Sequence, residues 1–468
     1  MTVPWYGILP FAALLAAIAT FPLMPRTRHL WERRGFQLLL SLSLGLPMAA
    51  WCWSLGGRPA VIHAVVEYLS FITLLFALFV VSGGVFVAGD IRATPRNNTL
   101  FLGVGAVLAS LIGTTGAAML LVRPLLNTNR ERRRKVHTLV FTILVIANCG
   151  GLLTPLGDPP LFLGLLRGVP FLWTLKLFPE WLFVNGMLLL AYYRLDSAAF
   201  RREEVPDLVR DAADVKPLAL HGKGSVALLG VIVAAVALVP SVDLHAISSG
   251  HASPGAFLPL RELVLLTAAG LSFSLGDRKT RFEDNRFEWG PILEVAALFV
   301  GIFLTMVPAL AFLAQKAPEL PLNRLTFFVF TGSLSSVLDN APTYATFFEL
   351  AKALGGEPAV AGVREDYLVS ISLGAVLCGA MTYIGNGPNF MVKAIAESDG
   401  VAMPSFGGYV ARYALVHLAP VLALMAGIFI VESTTVRVAS AALALGFAGA
   451  NVRGALALRR QGSPKGVA

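Results

Sequence analysis

Residues 148–162 read Asn-Cys-Gly-Gly-Leu-Leu-Thr-Pro-Leu-Gly-Asp-Pro-Pro-Leu-Phe, and they sit inside an apolar run far too long to be a loop in water. No helix runs through them unbroken. Pro155, Pro159 and Pro160 remove backbone donors and clash with the preceding turn, while Gly150, Gly151 and Gly157 permit the close approaches that a break requires. The break frees carbonyls and amides next to Asp158. In a bilayer, non-helical backbone beside a carboxylate is tolerated only where it lines a cavity or a solute path.

The rest of the chain has the composition of such a setting. Its 468 residues are 56% hydrophobic and 14% charged, the mean hydropathy is +0.72, and apolar runs of spanning length recur. The expected fold is an all-α polytopic membrane protein. A formal net charge of +9 would suggest nucleic acid in a soluble protein; here the basic residues gather in short clusters between apolar runs, as cytoplasmic loops do, so no nucleic-acid partner is expected. Cys52, Cys149 and Cys378 lie in apolar sequence without pairing or zinc-ligand spacing and read as reduced packing residues. The first apolar run, 3–24, lacks a basic segment before it and a small-residue cleavage pattern, so it reads as a retained helix.

Four basic clusters, 26–34, 130–135, 194–223 and 278–286, fix an expected topology when all are placed on the cytoplasmic side. Helices near 3–24, 35–56 and 60–89 lead to Arg92 and Arg96. The next run, 98–127, then starts and ends inside and cannot be a simple span; interrupted at Gly113-Thr114-Thr115-Gly116, it reads as a re-entrant hairpin. A broken helix over 136–170 and helices near 171–193, 224–242, 256–275 and 289–315 follow. A second hairpin, 323–350, is interrupted at Leu338-Asp339-Asn340-Ala341-Pro342-Thr343. A second broken helix, 367–402, and helices near 407–431 and 435–457 close the chain. This makes about eleven transmembrane helices and two hairpins, with the N-terminus outside and the C-terminus cytoplasmic, in a bacterial inner or plasma membrane.

The second half repeats the first upside down. Thr154, Gly157, Pro160 and Phe162 align with Thr382, Gly385, Pro388 and Phe390 at a constant offset of 228, with Asp158 opposite Asn386. Glu67 and Glu294 fall at nearly the same offset. The expected units are 1–34, a first repeat 35–193, a linker and peripheral helix 194–254, a second repeat 255–431 and a C-terminal helix and tail 432–468. An inverted repeat whose broken helices meet near the midplane is how secondary transporters build a site.

Asp158 and Asp339 are the leading site residues, because a carboxylate near the bilayer centre costs at least ~2.5–3.5 kcal/mol and is kept only with a compensating partner. A transported sodium ion supplies one. Oxygens for it would come from Asp158, Asp339, Asn340 and Asn386, with Asn148, Thr154, Thr343, Thr382, Thr114 and Thr115 around them. If one carboxylate takes either a proton or a cation, proton influx can drive cation efflux. The alternative for both aspartates is capping of adjacent half-helices. Glu67 and Glu294 read either as a proton route or as carboxylates reaching the interface. Lys176 and Glu180 have helix ion-pair spacing, and His245 and His251 read as solvated loop residues.

The motifs at 113–119, 147–162, 337–345 and 377–391 resemble those of the ion-transporter superfamily, which holds NhaD-type sodium/proton antiporters, arsenite exporters and citrate and dicarboxylate carriers. The resemblance implies two hairpin-containing repeats moving as an elevator on a homodimeric scaffold, with sodium and protons as cargo and no resident cofactor. Dicarboxylate carriers have Ser-Asn-Thr hairpin tips, whereas the tips here are Thr114-Thr115-Gly116 and Asp339-Asn340-Ala341. Two aspartates without Lys or Arg in the motifs favour a cation over a free carboxylate. Sodium-coupled citrate or dicarboxylate transport is the alternative, since co-bound sodium and half-helix N-termini could hold an anion. Cys149 and Cys378 leave arsenite open. An intramembrane aspartyl protease fits poorly, because no Tyr-Asp pair accompanies Asp339. His-Glu-x-x-His and Gly-x-x-x-x-Gly-Lys patterns are absent from the sequence, so neither a zinc protease nor an ATP-driven pump is expected.

Overall fold

Each long apolar run becomes a helix, and each polar or glycine-proline interruption becomes a helix end. The computed structural model describes residues 2–22, 24–31, 33–242, 247 and 254–460; His245 and His251 lie outside them. Among the described residues, seven helical stretches are long and apolar enough to span a bilayer, including Arg58–Ser82, Val136–Leu153, Gly290–Glu319 and Phe406–Ile430. Trp5–Thr20 and Lys223–Leu238 are shorter apolar helices. The chain is an all-α polytopic membrane protein.

Two groups of helices pack within themselves. In the first, Arg34–Ser54 crosses Gly290–Lys316 at a contact made possible by small residues. A Cβ on Gly301 would come within 2.7 Å of the Ser41 Cα, so the helices meet backbone to backbone. Phe71 of Arg58–Ser82 stacks on Phe299 at 5.0 Å. The second group contains the breaks and hairpins. Pro95–Ile112 and Thr114–Thr128 form the first hairpin, joined at Gly113, whose φ of +83° suits glycine. Arg324–Ser335 and Asn340–Leu354 form the second; Asn323 opens it with a reciprocal capping box with Thr326.

The basic segments converge on one face. Arg132, 1% exposed, reaches Asp196 at 2.7 Å and Glu203 at 3.6 Å. Arg133 bonds Asp207 at 2.8 Å, and the Asp211 carboxylate accepts from the Ala93 amide at 3.0 Å. Asn285 donates to the carbonyls of Gly83 and Val85. Loops after four different helices are thereby stitched together.

Two expectations need correction. The helix expected over 60–89 ends at Ser82, and Phe86–Asp90 is a strand paired antiparallel with Lys216–His221 from the charged linker. The helix stops at Gly83-Gly84, and the turn packs Gly84 tightly against the linker: a Cβ there would sit 2.5 Å from the Ser225 Oγ, so a larger residue would have to displace that side chain. Lys176 does not pair with Glu180. It lies in the tighter 3-10 segment Phe171–Leu177, where helical spacing no longer aligns the two, and it bonds Glu365 at 2.6 Å instead.

Candidate functional site

The two breaks are the same construction made twice. After the π-turn Thr142–Ile146 and the 3-10 turn Cys149–Leu153, the chain is extended through Thr154 before Pro159–Leu166 begins. In the second repeat, Glu365–Cys378 and Gly379–Met381 lead through Thr382 to Gly387–Ser398. A Cβ on Gly157 would lie 2.0 Å from the Gly151 carbonyl oxygen, and one on Gly385 would lie 2.5 Å from that of Gly379. Each break folds one glycine onto another six residues earlier, and that requirement is why the offset of 228 holds there.

Threonines brace these folds. The Thr154 hydroxyl donates to the Ser110 carbonyl and accepts from the Leu156 amide. Thr382 donates to the Ser336 carbonyl at 2.5 Å and accepts from the amides of Ile384 and Gly385. Ser110 and Ser336 come from the first arms of the two hairpins, so each break is pinned to the hairpin of its own repeat. The Thr114 amide adds a bond to the Gly157 carbonyl at 2.8 Å.

On this frame Asp158 becomes the meeting point of four elements. It is 1% exposed. Although it precedes Pro159–Leu166, its carboxylate makes no cap bond. Oδ1 accepts from the Thr114 hydroxyl at 2.9 Å and from Asn386 Nδ2 at 3.3 Å, and Oδ2 accepts from Asn340 Nδ2 at 2.8 Å. Both hairpin tips and both breaks thus close on one carboxylate. Asn386 also donates to the Ala147 carbonyl and to Asn148 Oδ1 at 3.2 Å. Asn148 donates to the Ile143 carbonyl, freed by the π-turn, and to Asn389 Oδ1 at 2.5 Å.

Asp339 behaves differently. It is half-buried, its Oδ1 caps Asn340–Leu354 by accepting from the Ala341 amide at 3.0 Å, and it also faces the cavity described below. Asp339 rather than Asn340 is the counterpart of Gly113, since each is the residue just before the hairpin's second arm. The tips therefore align Thr114 with Asn340, one residue from the register that pairs Thr114-Thr115-Gly116 with Asp339-Asn340-Ala341. Both aligned residues donate to Asp158.

Of the residues named from sequence, Asp158, Thr114, Asn340, Asn386 and Asn148 form one hydrogen-bonded cluster. Thr154, Thr382 and Thr343 spend their hydroxyls on backbone carbonyls, Thr343 on that of Asp339. Thr115 stands half-buried on the cavity wall. Sequence reasoning passed over Asn389, which ties Asn148 to the Gly379 and Thr382 carbonyls, and Ser335, bonded to Asn340 Oδ1 at 2.6 Å. The residue opposite Asn389 in the first repeat is Leu161, so comparison of the repeats gave no signal there.

A cavity of about 1030 Å³ opens beside this cluster, between the two helix groups. Thr114, Asp158, Asp339 and Asn386 line one wall, and Leu74, Leu78, Glu294 and Phe299 the other. Its charged lining among the described residues is Asp158, Asp339, Glu294, Glu397 and Lys393. The Lys393 ammonium is bonded to both Glu397 oxygens at 2.7 Å. Glu294 accepts from Gln37 Nε2 at 3.0 Å. Glu67 does not reach toward an interface: it is 5% exposed and paired with Arg167, an arginine that the sequence reading did not single out.

A family model described as "Putative citrate transport" matches residues 1–430. The chain belongs to that family. It is also 26% identical over 348 residues to proteins described as uncharacterized transporters in Mycobacterium bovis and Mycobacterium tuberculosis, an alignment that covers 71% of this chain and 76% of each relative. This citrate-transport family member is therefore a multi-pass membrane transporter.

Proposed function

We propose that the protein is a secondary transporter in which Asp158 and Asp339 take a small cation, most simply sodium, in exchange for protons. The observation that carries this reading is the charge of the cavity. Among the described residues that line it, Asp158 and Asp339 are carboxylates that no Lys or Arg pairs, and the Lys393 ammonium is already neutralised by Glu397. In a low-dielectric setting such a wall attracts a cation and repels a free di- or tricarboxylate.

The geometry suits an exchange. Thr114, Asn340 and Asn386 donate to Asp158 in this conformation. Turning the hydroxyl and the two carboxamides would present three oxygens beside the carboxylate, the donor set of a hard cation. With a proton on Asp158 the cluster stays neutral without the ion. One carboxylate holding either species, on a frame that rocks between two faces, obliges the two fluxes to oppose each other. In the orientation expected from the basic loops, the cavity of this conformation opens to the cytoplasm.

A second reading has its own support. The family description names citrate, and about 1030 Å³ is ample for an organic ligand and far more than a bare ion needs. On that reading sodium at Asp158 and Asp339 offsets a carboxylate bound at the hairpin tips. One vesicle experiment separates the two. Sodium added to acid-loaded inside-out vesicles should collapse the ΔpH, and Asp158→Asn or Asp339→Asn should abolish the response. Sodium-dependent uptake of labelled citrate without any ΔpH response would overturn antiport in favour of the carboxylate carrier.

A further inference from the structure

The site carboxylates face a cavity of about 1030 Å³ whose walls are mainly carbon. Asp339 lines it with Oδ1 on the Ala341 amide at 3.0 Å, while its Oδ2 accepts no hydrogen bond among the described residues. Asp158 shares that wall. Its own donors are a hydroxyl and two carboxamides, so neither carboxylate has a Lys or Arg partner among the described residues. The Lys393 ammonium also lies on the lining, but both Glu397 oxygens hold it at 2.7 Å and the Tyr383 ring centre is 5.6 Å away. Its charge is already compensated.

Two helices of the other group form the opposite wall. Leu74, Leu78 and Phe79 come from Arg58–Ser82, and Leu298, Phe299 and Ile302 from Gly290–Lys316. At these spacings each trio occupies one helix face. Such side chains offer a hydrated sodium ion nothing in exchange for its water. The two breaks add one ring each, at the repeat-related positions Phe162 and Phe390. Phe162 is 1% exposed, with the Arg261 guanidinium 5.6 Å from its centre. Phe390 is 49% exposed, and no ring or cation stands on it among the described residues. It lies one helical turn beyond Asn386, whose Nδ2 reaches Asp158 at 3.3 Å. A free aromatic face therefore stands close to an unpaired carboxylate.

We infer that the cavity takes a lipophilic organic cation, its charged head at Asp339 and Asp158 and its rings or chains between Phe390 and the wall of leucine and phenylalanine. Carboxylates without a basic partner beside an apolar, aromatic-lined space recognise an alkyl or aryl ammonium or phosphonium ion. Burial of the apolar body offsets the dehydration of the head. As the cation binds, an aspartate gives up its proton to water, so the charge of the site is conserved. The inference rests on the proton-for-cation reading of Asp158 and Asp339 and names the class of cation.

Tetraphenylphosphonium is the probe, measured by equilibrium dialysis against the full-length protein in neutral detergent with protein-free micelles as the blank. Binding should saturate and release protons into weakly buffered solution. It should fall at least about tenfold when Asp158→Asn and Asp339→Asn are combined. Tetraphenylborate, of the same shape and opposite charge, should bind at least about tenfold more weakly. Phe390→Ser, at an exposed ring whose loss leaves the packed core intact, should weaken phosphonium binding about fivefold. The same preparation is titrated with sodium chloride and with citrate. Equal binding of phosphonium and borate, or phosphonium binding that survives in the double aspartate variant, would make the cavity an unselective apolar sink and overturn the inference. Proton release by sodium without phosphonium binding would also overturn it and leave the proton-for-cation reading standing. Citrate binding with no proton release by either cation would fault that reading and the inference together.

Discussion

At the scale of single residues, the site depends on positions where a side chain is absent as much as on those where one is present. Gly151 and Gly157 touch closely enough that a Cβ on Gly157 would fall 2.0 Å from a carbonyl oxygen. Gly157→Ala should therefore destabilise the fold by about 1–3 kcal/mol through backbone displacement. It should also abolish transport, because the Gly157 carbonyl that receives the Thr114 amide moves with it. Thermal unfolding in detergent with parallel vesicle assays checks both; full activity with unchanged stability would mean that the break is not held by this contact. Asp158 was legible in the sequence because a carboxylate flanked by helix breakers inside an apolar run has few structural explanations. Asn389 and Arg167 were not, since an asparagine or arginine near a helix end is ordinary until its partner, 241 or 100 residues away, is known.

At the scale of elements, the ribbon of Phe86–Asp90 and Lys216–His221 has a pH dependence of its own. Asp90 lies at its end, 5% exposed. Burial, and then the carboxylates of Glu131 and Asp211 beside it, push its carboxyl up from 3.8 to about 6. The folded state accordingly binds the proton more tightly than the unfolded chain, and stability falls as pH rises through the interval from about 4 to about 6. Asp90→Asn should flatten that slope and raise the melting temperature at pH 7, measured by a thermal ramp in detergent at several pH values; an unaltered slope would show that another group carries it. The strand itself escaped the sequence because its residues continue an apolar run. The hairpins, by contrast, were readable: 98–127 from its length and basic flanks, since a run that begins and ends on one side is no single span, and 323–350 from its polar interruption at 338–343.

At the scale of the whole molecule, one buried network holds the basic face together. Arg132 and Asp196 are essentially sealed from solvent, and His137, 2.7 Å from the same Asp196 oxygen, and Asn98 complete the cluster. Removing one member leaves the other charge unpaired, so Arg132→Ala should cost about 3–5 kcal/mol. Equilibrium unfolding in detergent measures this; a change below ~1 kcal/mol would assign the pair to the weak, solvent-screened class. Because the network joins the base of the first hairpin to the linker, its loss should also loosen the Phe86–Asp90 ribbon, visible as faster amide exchange there.

The sequence by itself determined the membrane setting, the two hairpins, the two breaks and their echo at a fixed offset. These follow from local physics: apolar run length, proline and glycine chemistry, and the cost of lone carboxylates in hydrocarbon. Only the tertiary structure decided which polar residues meet. It chose Asn340 and Asn386 from the second repeat to close on Asp158, gave Thr154 and Thr382 to the backbone, and buried Glu67 against Arg167. Hydrogen bonds and ion pairs reach only a few ångströms, and the sequence does not encode that proximity until distant segments pack.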